Sequence, residues 1–392
     1  MHEADHAGRD IFAHHKKHTC AETIIPMNIL LLCNHARAGG ITKYVLLLSQ
    51  GLKNRNHHPV VVSADGEWRA LFEKQGIAWY RLPFDKKFEF HPALLGSLGK
   101  LKCIIAAHHI DLLHAQTRST QVVSWLAEKF FYTPFVSTAH GFYVNRFSRK
   151  VFPCWGRGVI AVSEAVRTHL REDFKIDESR IALIRNGIVT DIDSSIAGED
   201  IAAYRARLGV LPQDILIGSM GRLSHVKGHD TLIDAFALLL PHYPRARLII
   251  AGEGGYRSVL EKKIGALSLE SKVTLLGAIE EPDVFFKSLD LFAMPSRTEG
   301  LGLAILEAMA HGIPVVATAR GGIVEFVRDR DTGLLVEPDR PQELCDALRA
   351  TLDDASLCAT IAENAARMVR SAFDVNTMID NTILFYERCI KT

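Results

Sequence analysis

The stretch 289–319, "LDLFAMPSRTEGLGLAILEAMAHGIPVVATA", decides the fold class. It begins with a short apolar run, "LDLFAMPS", of the length expected for a buried strand. A glycine-bearing loop, "SRTEGLGLA", leads into an apolar, alanine-rich helical pattern, and a second β-branched run, "IPVVATA", closes it. Strand, helix and strand in that order form a βαβ unit, whose two strands lie parallel beneath a covering helix.

The same alternation fills the chain on both sides. "MNILLLCN" (27–34), "HPVVVSA", "IDLLHAQ", "PFVSTAH", "GVIAVS" and "RIALIRNG" (180–187) make a first series. Residues 188–212 are polar and read as a connection with a short helix. "ILIGSMG" (215–221), "ARLIIAGEG", "KVTLLGA", the two runs above and "TGLLVEP" make a second series. The expected fold is therefore α/β, with two doubly wound Rossmann-like domains in tandem. Ligands of such sheets sit beyond the carboxyl ends of the strands, so the cleft between the domains is the expected site.

The totals agree. A length of 392 residues suits two domains. A net charge of +1 with 23% charged residues argues against nucleic acid as a partner. No apolar run approaches the ~20 residues of a membrane span. The first 25 residues lack the apolar core of an export signal and read as a loose histidine-rich extension. None of the seven cysteines forms C-x-x-C, so buried, reduced thiols in a cytoplasmic protein are expected.

Three loops carry the candidate chemistry. In "GRLSHVKGHD", Gly221 permits a tight exit from a strand, and Arg222 and Lys227 flank a turn that ends at a helix start. Two cations beside a helix N-terminus suit a diphosphate. In the opening stretch, Gly300 and Gly302 let backbone approach a ligand, Glu299 can accept hydrogen bonds from sugar hydroxyls, and Glu307 from a ribose diol. Glu307 lies among Leu306, Ala308 and Met309, where a carboxylate is costly to bury without a partner. In the first half, Gly39-Gly40 opens a helix and His140 ends a strand; a plain turn accounts for the glycines equally well, and a strand-end histidine is more often structural than catalytic. Asp191-Ile-Asp193 and Asp329-Arg330-Asp331 spell D-x-D away from the ligand edge and read as turns. No essential metal or other cofactor is expected.

Taken together, "GRLSHVKG", "LIIAGEGGYRSVLE", "VTLLGAI" and the E-x7-E pair Glu299/Glu307 resemble the retaining glycosyltransferases of family 4, which have the GT-B fold. The resemblance runs from about Met27 to the C-terminus. It implies that Arg222 and Lys227 hold the donor diphosphate and that Glu307 binds the ribose. Glu299 would contact the transferred sugar. Gly302 and Leu303 would touch phosphate or sugar through their backbone. Gly40, Gly221 and Gly252 would line the donor site, Ala278 and Ile279 would lie against the base, and His140 would sit near the reacting centre. Val189 and Gly255 stand where the family often has Asp and Pro. The expected divisions are an extension (1–26), an acceptor-side domain (27–195), a nucleotide-sugar domain (196–372) and a terminal helix (373–392) returning to the first domain.

The implied reaction moves a sugar from a nucleoside diphosphate sugar to a glycan or lipid-linked acceptor, as in cell-envelope polysaccharide or lipopolysaccharide synthesis. A GT-B epimerase would need further acid–base carboxylates in the first domain. A non-catalytic partner subunit would have no need of intact Arg222, Lys227, Glu299 and Glu307. An anionic membrane surface is a further expected partner. Residues 84–172 hold twelve Lys or Arg against six Asp or Glu, and "GFYVNRFSRKVFPCWGRG" interleaves aromatics with cations.

Overall fold

The computed structural model describes residues 25–85, 91–144, 147–192, 196–279 and 281–391. All but the last two positions of the expected 1–26 extension lie outside the described residues, as do Lys86, Lys87, Phe88, Phe90, Arg146 and Asp193.

The first sheet comprises β1 (Asn28–His35), β2 (His58–Ala64), β3 (Ala78–Arg81), β4 (Leu112–Ala115), β5 (Phe135–Ala139), β6 (Val159–Ala161) and β7 (Ile181–Leu183). Its strands pair in parallel in the order 3-2-1-4-5-6-7. The second comprises β8 (Ile215–Met220), β9 (Ala246–Ala251), β10 (Val273–Gly277), β11 (Leu291–Met294), β12 (Val315–Thr318) and β13 (Leu334–Val336). It is parallel too, in the order 10-9-8-11-12-13. These are two doubly wound domains. Sequence reasoning missed only β3, "AWYR", an edge strand of four residues with no buried position.

Helices cover both faces of each sheet, which is why the central strands are apolar throughout rather than alternating. Leu30, Leu31 and Leu32 of β1 are all fully buried. Each strand order reverses at its first strand, between β1 and β4 and again between β8 and β11. The loops that leave these strands therefore define a crevice in each domain. One cluster of buried apolar residues crosses from Val162 and Val166 in the first domain to Leu301 and Ile323 in the second.

The last helix, Val375–Lys391, packs on the first domain against the helix Gly40–Asn54. Met378, Ile379, Phe385 and Tyr386 join a core containing Leu31, Leu48 and Val61. Gly51 makes this approach possible, since a Cβ there would lie 2.0 Å from Ile379 Cδ1. The Tyr386 hydroxyl meets buried His114 Nδ1 at 2.6 Å, and His114 Nε2 meets Thr138 Oγ1 at 2.7 Å. Among the described residues no helix is long and apolar enough to cross a membrane.

Candidate active site

The second domain contributes a ring of loops at its strand ends. The Gly221 amide donates to the Ala251 carbonyl at 2.9 Å, and the Gly252 amide to the Gly277 carbonyl at 2.7 Å. Gly252 has φ 130°, and a Cβ on it would strike the Gly221 carbonyl oxygen at 2.1 Å. The three loops that follow β8, β9 and β10 are thus stitched together. They bring Gly221, Arg222, Gly252, Ala278 and Ile279 to one edge. Arg222 is exposed and makes no ion pair among the described residues. Lys227 ends a short 3₁₀ turn, His225–Lys227, and its Nζ lies 2.5 Å from Glu299 Oε2. Ser296 Oγ donates to the same oxygen at 3.2 Å.

Arg297, which sequence reasoning missed, braces this pair. Its guanidinium donates to Asp230 Oδ1 and Oδ2 at 2.8 Å, to Asp339 Oδ1 at 2.7 Å and to the His225 carbonyl at 2.6 Å. Burial pushes the Asp230 carboxyl up, but the Arg297 hydrogen bonds outweigh it and hold that carboxyl below its usual range. The Glu299 loop and the Lys227 loop are therefore one rigid unit.

The helix Leu303–Ala310 starts at Gly302, whose φ of 100° only glycine adopts readily. No side chain caps it, so the N–H groups of Leu303 and Ala304 remain available to a ligand, while the Ile305 amide donates to the Gly302 carbonyl at 3.0 Å. Glu307 on this helix is buried, 8% exposed, and has a partner: Lys43 Nζ, 2.5 Å from Oε1. Lys43 belongs to the first domain. Sequence reasoning missed it, although its place three residues into the helix opened by Gly40 was a usable signal. Leu303 Cδ1 lies 3.5 Å from where Gly40 would carry a Cβ, so the two helix starts face each other across the cleft.

His140, at the end of β5, stands on the first domain's side. Its Nε2 lies 2.8 Å from Gln116 Oε1, and Tyr44 packs edge-on with ring centroids 5.0 Å apart. With the amide oxygen accepting, Nε2 carries the proton. The ring is enclosed closely enough that lost hydration lowers its pKa to about 3, leaving a neutral imidazole near pH 7.

Gly300 has a use that the sequence did not show. A Cβ there would lie 2.2 Å from the His140 carbonyl oxygen and 3.0 Å from Gly141 Cα. Its missing side chain makes room for the other domain. Nearby, Glu325 of the second domain caps the helix Glu164–Asp173 of the first. Its Oε1 accepts from the Glu164 and Ala165 amides at 2.6 and 3.2 Å, and Oε2 faces Arg185 at 2.9 Å. A carboxylate at a helix N-terminus is stabilising, and this one ties the domains together.

Asp329 and Asp331 serve their own turn: Asp329 Oδ1 accepts from the Leu335 amide, and Asp331 meets Arg328 and Asn364. The basic–aromatic stretch divides. Arg149 is buried, with its guanidinium 4.4 Å from the Tyr143 ring and 5.0 Å from the Trp155 ring, so it is not the surface cation the sequence suggested. Arg157 is spent on the carbonyls of Cys389 and Ile390. Val144, Phe147, Val151 and Phe152 remain exposed.

Comparison with known proteins places this geometry. The family model described as "Glycosyl transferases group 1" matches residues 200–368, and that described as "Glycosyltransferase Family 4" matches residues 38–192. An uncharacterized glycosyltransferase of Methanocaldococcus jannaschii is 25% identical over 380 residues, covering 89% of this chain and 94% of the relative. A lipopolysaccharide core biosynthesis mannosyltransferase of Rhizobium meliloti is 31% identical over 49% of this chain and 57% of its own length. Among solved structures, Anabaena HepE in complex with UDP and glucose superposes with a TM-score of 0.82 at 27% identity, covering 92% of this chain and all of that one.

Proposed function

The chain belongs to the group 1, family 4 glycosyltransferases of GT-B fold, and on that premise we propose that it transfers a sugar from a nucleoside diphosphate sugar to a glycan or lipid-linked acceptor, with retention and without a metal. One observation carries the reading. The Lys227–Glu299 pair, the uncapped helix start at Gly302 and the buried carboxylate of Glu307 lie on one side of a cleft that His140 closes from the other. The Anabaena neighbour, which holds UDP and glucose, supports the same donor class.

In this reading Arg222, Lys227 and the helix N-terminus neutralise the diphosphate as its oxygen leaves the anomeric carbon. Glu307 accepts the ribose hydroxyls in place of Lys43, and Glu299 accepts hydroxyls of the sugar. The acceptor oxygen bonds to the anomeric carbon on the face that the phosphate leaves, and its proton passes to the departing phosphate oxygen. A neutral His140 fits this scheme: it exchanges hydrogen bonds with the sugar but has no proton to lose near pH 7 beyond its bonded N–H. The cations supply the charge that a metal supplies elsewhere.

The exposed Val144, Phe147, Val151 and Phe152 support a weak apolar contact with a membrane surface on the cytoplasmic side. The decisive experiment is a panel of nucleoside diphosphate sugars with simple glycan acceptors in excess chelator, with the product anomer read by NMR. An inverted product, or a strict need for Mg²⁺ or Mn²⁺, would sink the corresponding part of the proposal.

A further inference from the structure

Glu307 has one carboxylate and two claimants. Its Oε1 lies 2.5 Å from Lys43 Nζ, and its side chain is only 11% exposed. A ribose diol meets a carboxylate with both of its oxygens. With Oε1 taken and so little of the side chain open, ribose and ammonium cannot both be seated. Lys43 comes from the other domain, on a helix that starts firmly. The Lys43 amide donates to the Gly39 carbonyl at 2.9 Å, and Thr42 Oγ1 to the His35 carbonyl at 3.3 Å. Only the flexible four-carbon stem of Lys43 is left to swing. A second seat lies within reach of its charge. Asp283, in the helix Pro282–Lys287, is exposed, and its carboxyl is held below the usual range by the His311 hydrogen bond first and also by Lys43. His311 joins the two seats: its Nε2 lies 3.1 Å from Asp283 Oδ1, and its Nδ1 2.7 Å from the Glu307 carbonyl oxygen. Lys227 and Glu299 differ in this respect. Both belong to the second domain, so domain movement leaves their pair intact.

We propose that Lys43 is the donor site's built-in competitor: it occupies the ribose carboxylate while the site is empty, yields to the incoming nucleotide by moving to Asp283, and on its return expels the spent nucleoside diphosphate. This rests on the reading of the chain as a glycosyltransferase with Glu307 at the ribose. A carboxylate this enclosed is costly to leave without a partner, so the empty site needs Lys43. Each nucleotide that binds exchanges one ammonium for two hydroxyls at Glu307, and the exchange reverses on release. Lys43 thereby lowers the affinity for product and speeds its departure. That step matters to an enzyme whose turnover ends with the loss of a charged leaving group from a closed cleft. The exchange also couples nucleotide to domain position, because the Lys43–Glu307 pair spans the cleft and breaks when the ribose arrives.

Calorimetry and stopped flow test this with UDP, GDP and ADP, and with the 2′-deoxy form of whichever binds. The proteins are the wild type, Lys43→Met, Lys43→Arg, Asp283→Asn and Lys43→Met/Asp283→Asn. Lys43→Met keeps the stem and removes the competitor, so the nucleoside diphosphate should bind about fivefold more tightly or better, with a dissociation rate that falls in step. Lys43→Arg keeps the charge and should stay close to the wild type. Asp283→Asn removes the second seat and should weaken binding by about threefold, an effect that vanishes in the double variant. The gain in Lys43→Met should be smaller for the 2′-deoxy nucleotide, which cannot present both hydroxyls. Affinity unchanged or weakened in Lys43→Met would overturn the proposal and leave the transferase reading standing, since Lys43 would then share Glu307 with the ribose. Failure of all three nucleoside diphosphates to bind the wild type and every variant would refute the transferase reading and this proposal with it.

Discussion

Gly300→Ala adds one methyl group at the point where the two domains touch. The new Cβ would lie 2.2 Å from the His140 carbonyl oxygen, about 1 Å inside an ordinary carbon–oxygen approach. Neither partner can yield easily. Gly300 follows the Glu299 loop that Arg297 pins to Asp230 and Asp339, and the His140 backbone ends a central strand. The strain is therefore relieved by parting the domains. Overpacking by a methyl group costs about 1–3 kcal/mol, and that cost falls on the closed state alone. If turnover requires closure, kcat/KM should drop by about 5–150-fold, while a free nucleoside diphosphate, held mostly by the second domain in the proposed function, should lose little affinity. Small-angle scattering should show an expanded protein, and the thermal midpoint should hardly change, since each domain keeps its own core. A normal kcat/KM with an unchanged scattering profile would refute the argument. A large fall in thermal midpoint would show that the contact supports folding rather than closure.

Other outcomes follow from the same geometry. Arg222→Ala and Lys227→Ala should each cost about 2–4 kcal/mol of transition-state stabilisation in kcat/KM. Lys227→Ala should be the worse, because it also strips Glu299 of its partner; near-normal turnover in both would remove the diphosphate assignment. Glu307→Gln should weaken free nucleoside diphosphate by about 1.5–3 kcal/mol, and Glu299→Gln should chiefly weaken the intact donor; calorimetry that finds equal losses for both would reverse the roles. Burial lowers His114, His140 and His229 to about 3. The unfolded chain therefore takes up protons below pH about 6.5 that the folded one refuses. Stability is complete above that pH and should fall by up to about 1.4 kcal/mol per pH unit for each histidine as pH drops toward 3; urea midpoints equal at pH 7 and pH 5 would contradict this. Anionic vesicles should retain the protein only modestly better than neutral ones, because Arg149 and Arg157 are engaged internally; retention lost completely at moderate salt would mean that charge, not the exposed Phe147 and Val151, drives it.

The fold was legible because a parallel sheet covered on both faces turns each central strand into an unbroken apolar run, such as residues 29–33 in β1. β3 escaped notice because four half-exposed residues at a sheet edge carry no such pattern. The residues expected at the donor site stand out in the sequence because they lie next to strands, in loops whose chemistry is local. Their partners were not. Lys43 meets Glu307 from 264 positions away, and Glu325 meets the Glu164 amide from 161. No periodicity or motif spans such a gap; only the packing of one domain on the other creates it. The contact of Gly300 with His140 was hidden for the same reason. A sequence shows that a position must stay small, but not which neighbour needs the space.

The last helix has a consequence for how this protein is made. It leaves the ribosome after both sheets, yet Met378, Ile379 and Tyr386 complete the interior of the domain that emerges ahead of the second sheet. Until then the groove beside Gly51 and the polar edge of His114 face water, while the second domain's own cluster, from Ile217 to Leu348, is already complete. Nascent chains should therefore acquire protease resistance in the reverse of their order of synthesis. The same arrangement limits domain grafting: a chimera joined once between the two sheets inherits a mismatched lid, and exchanging the first domain intact requires a second junction ahead of Val375.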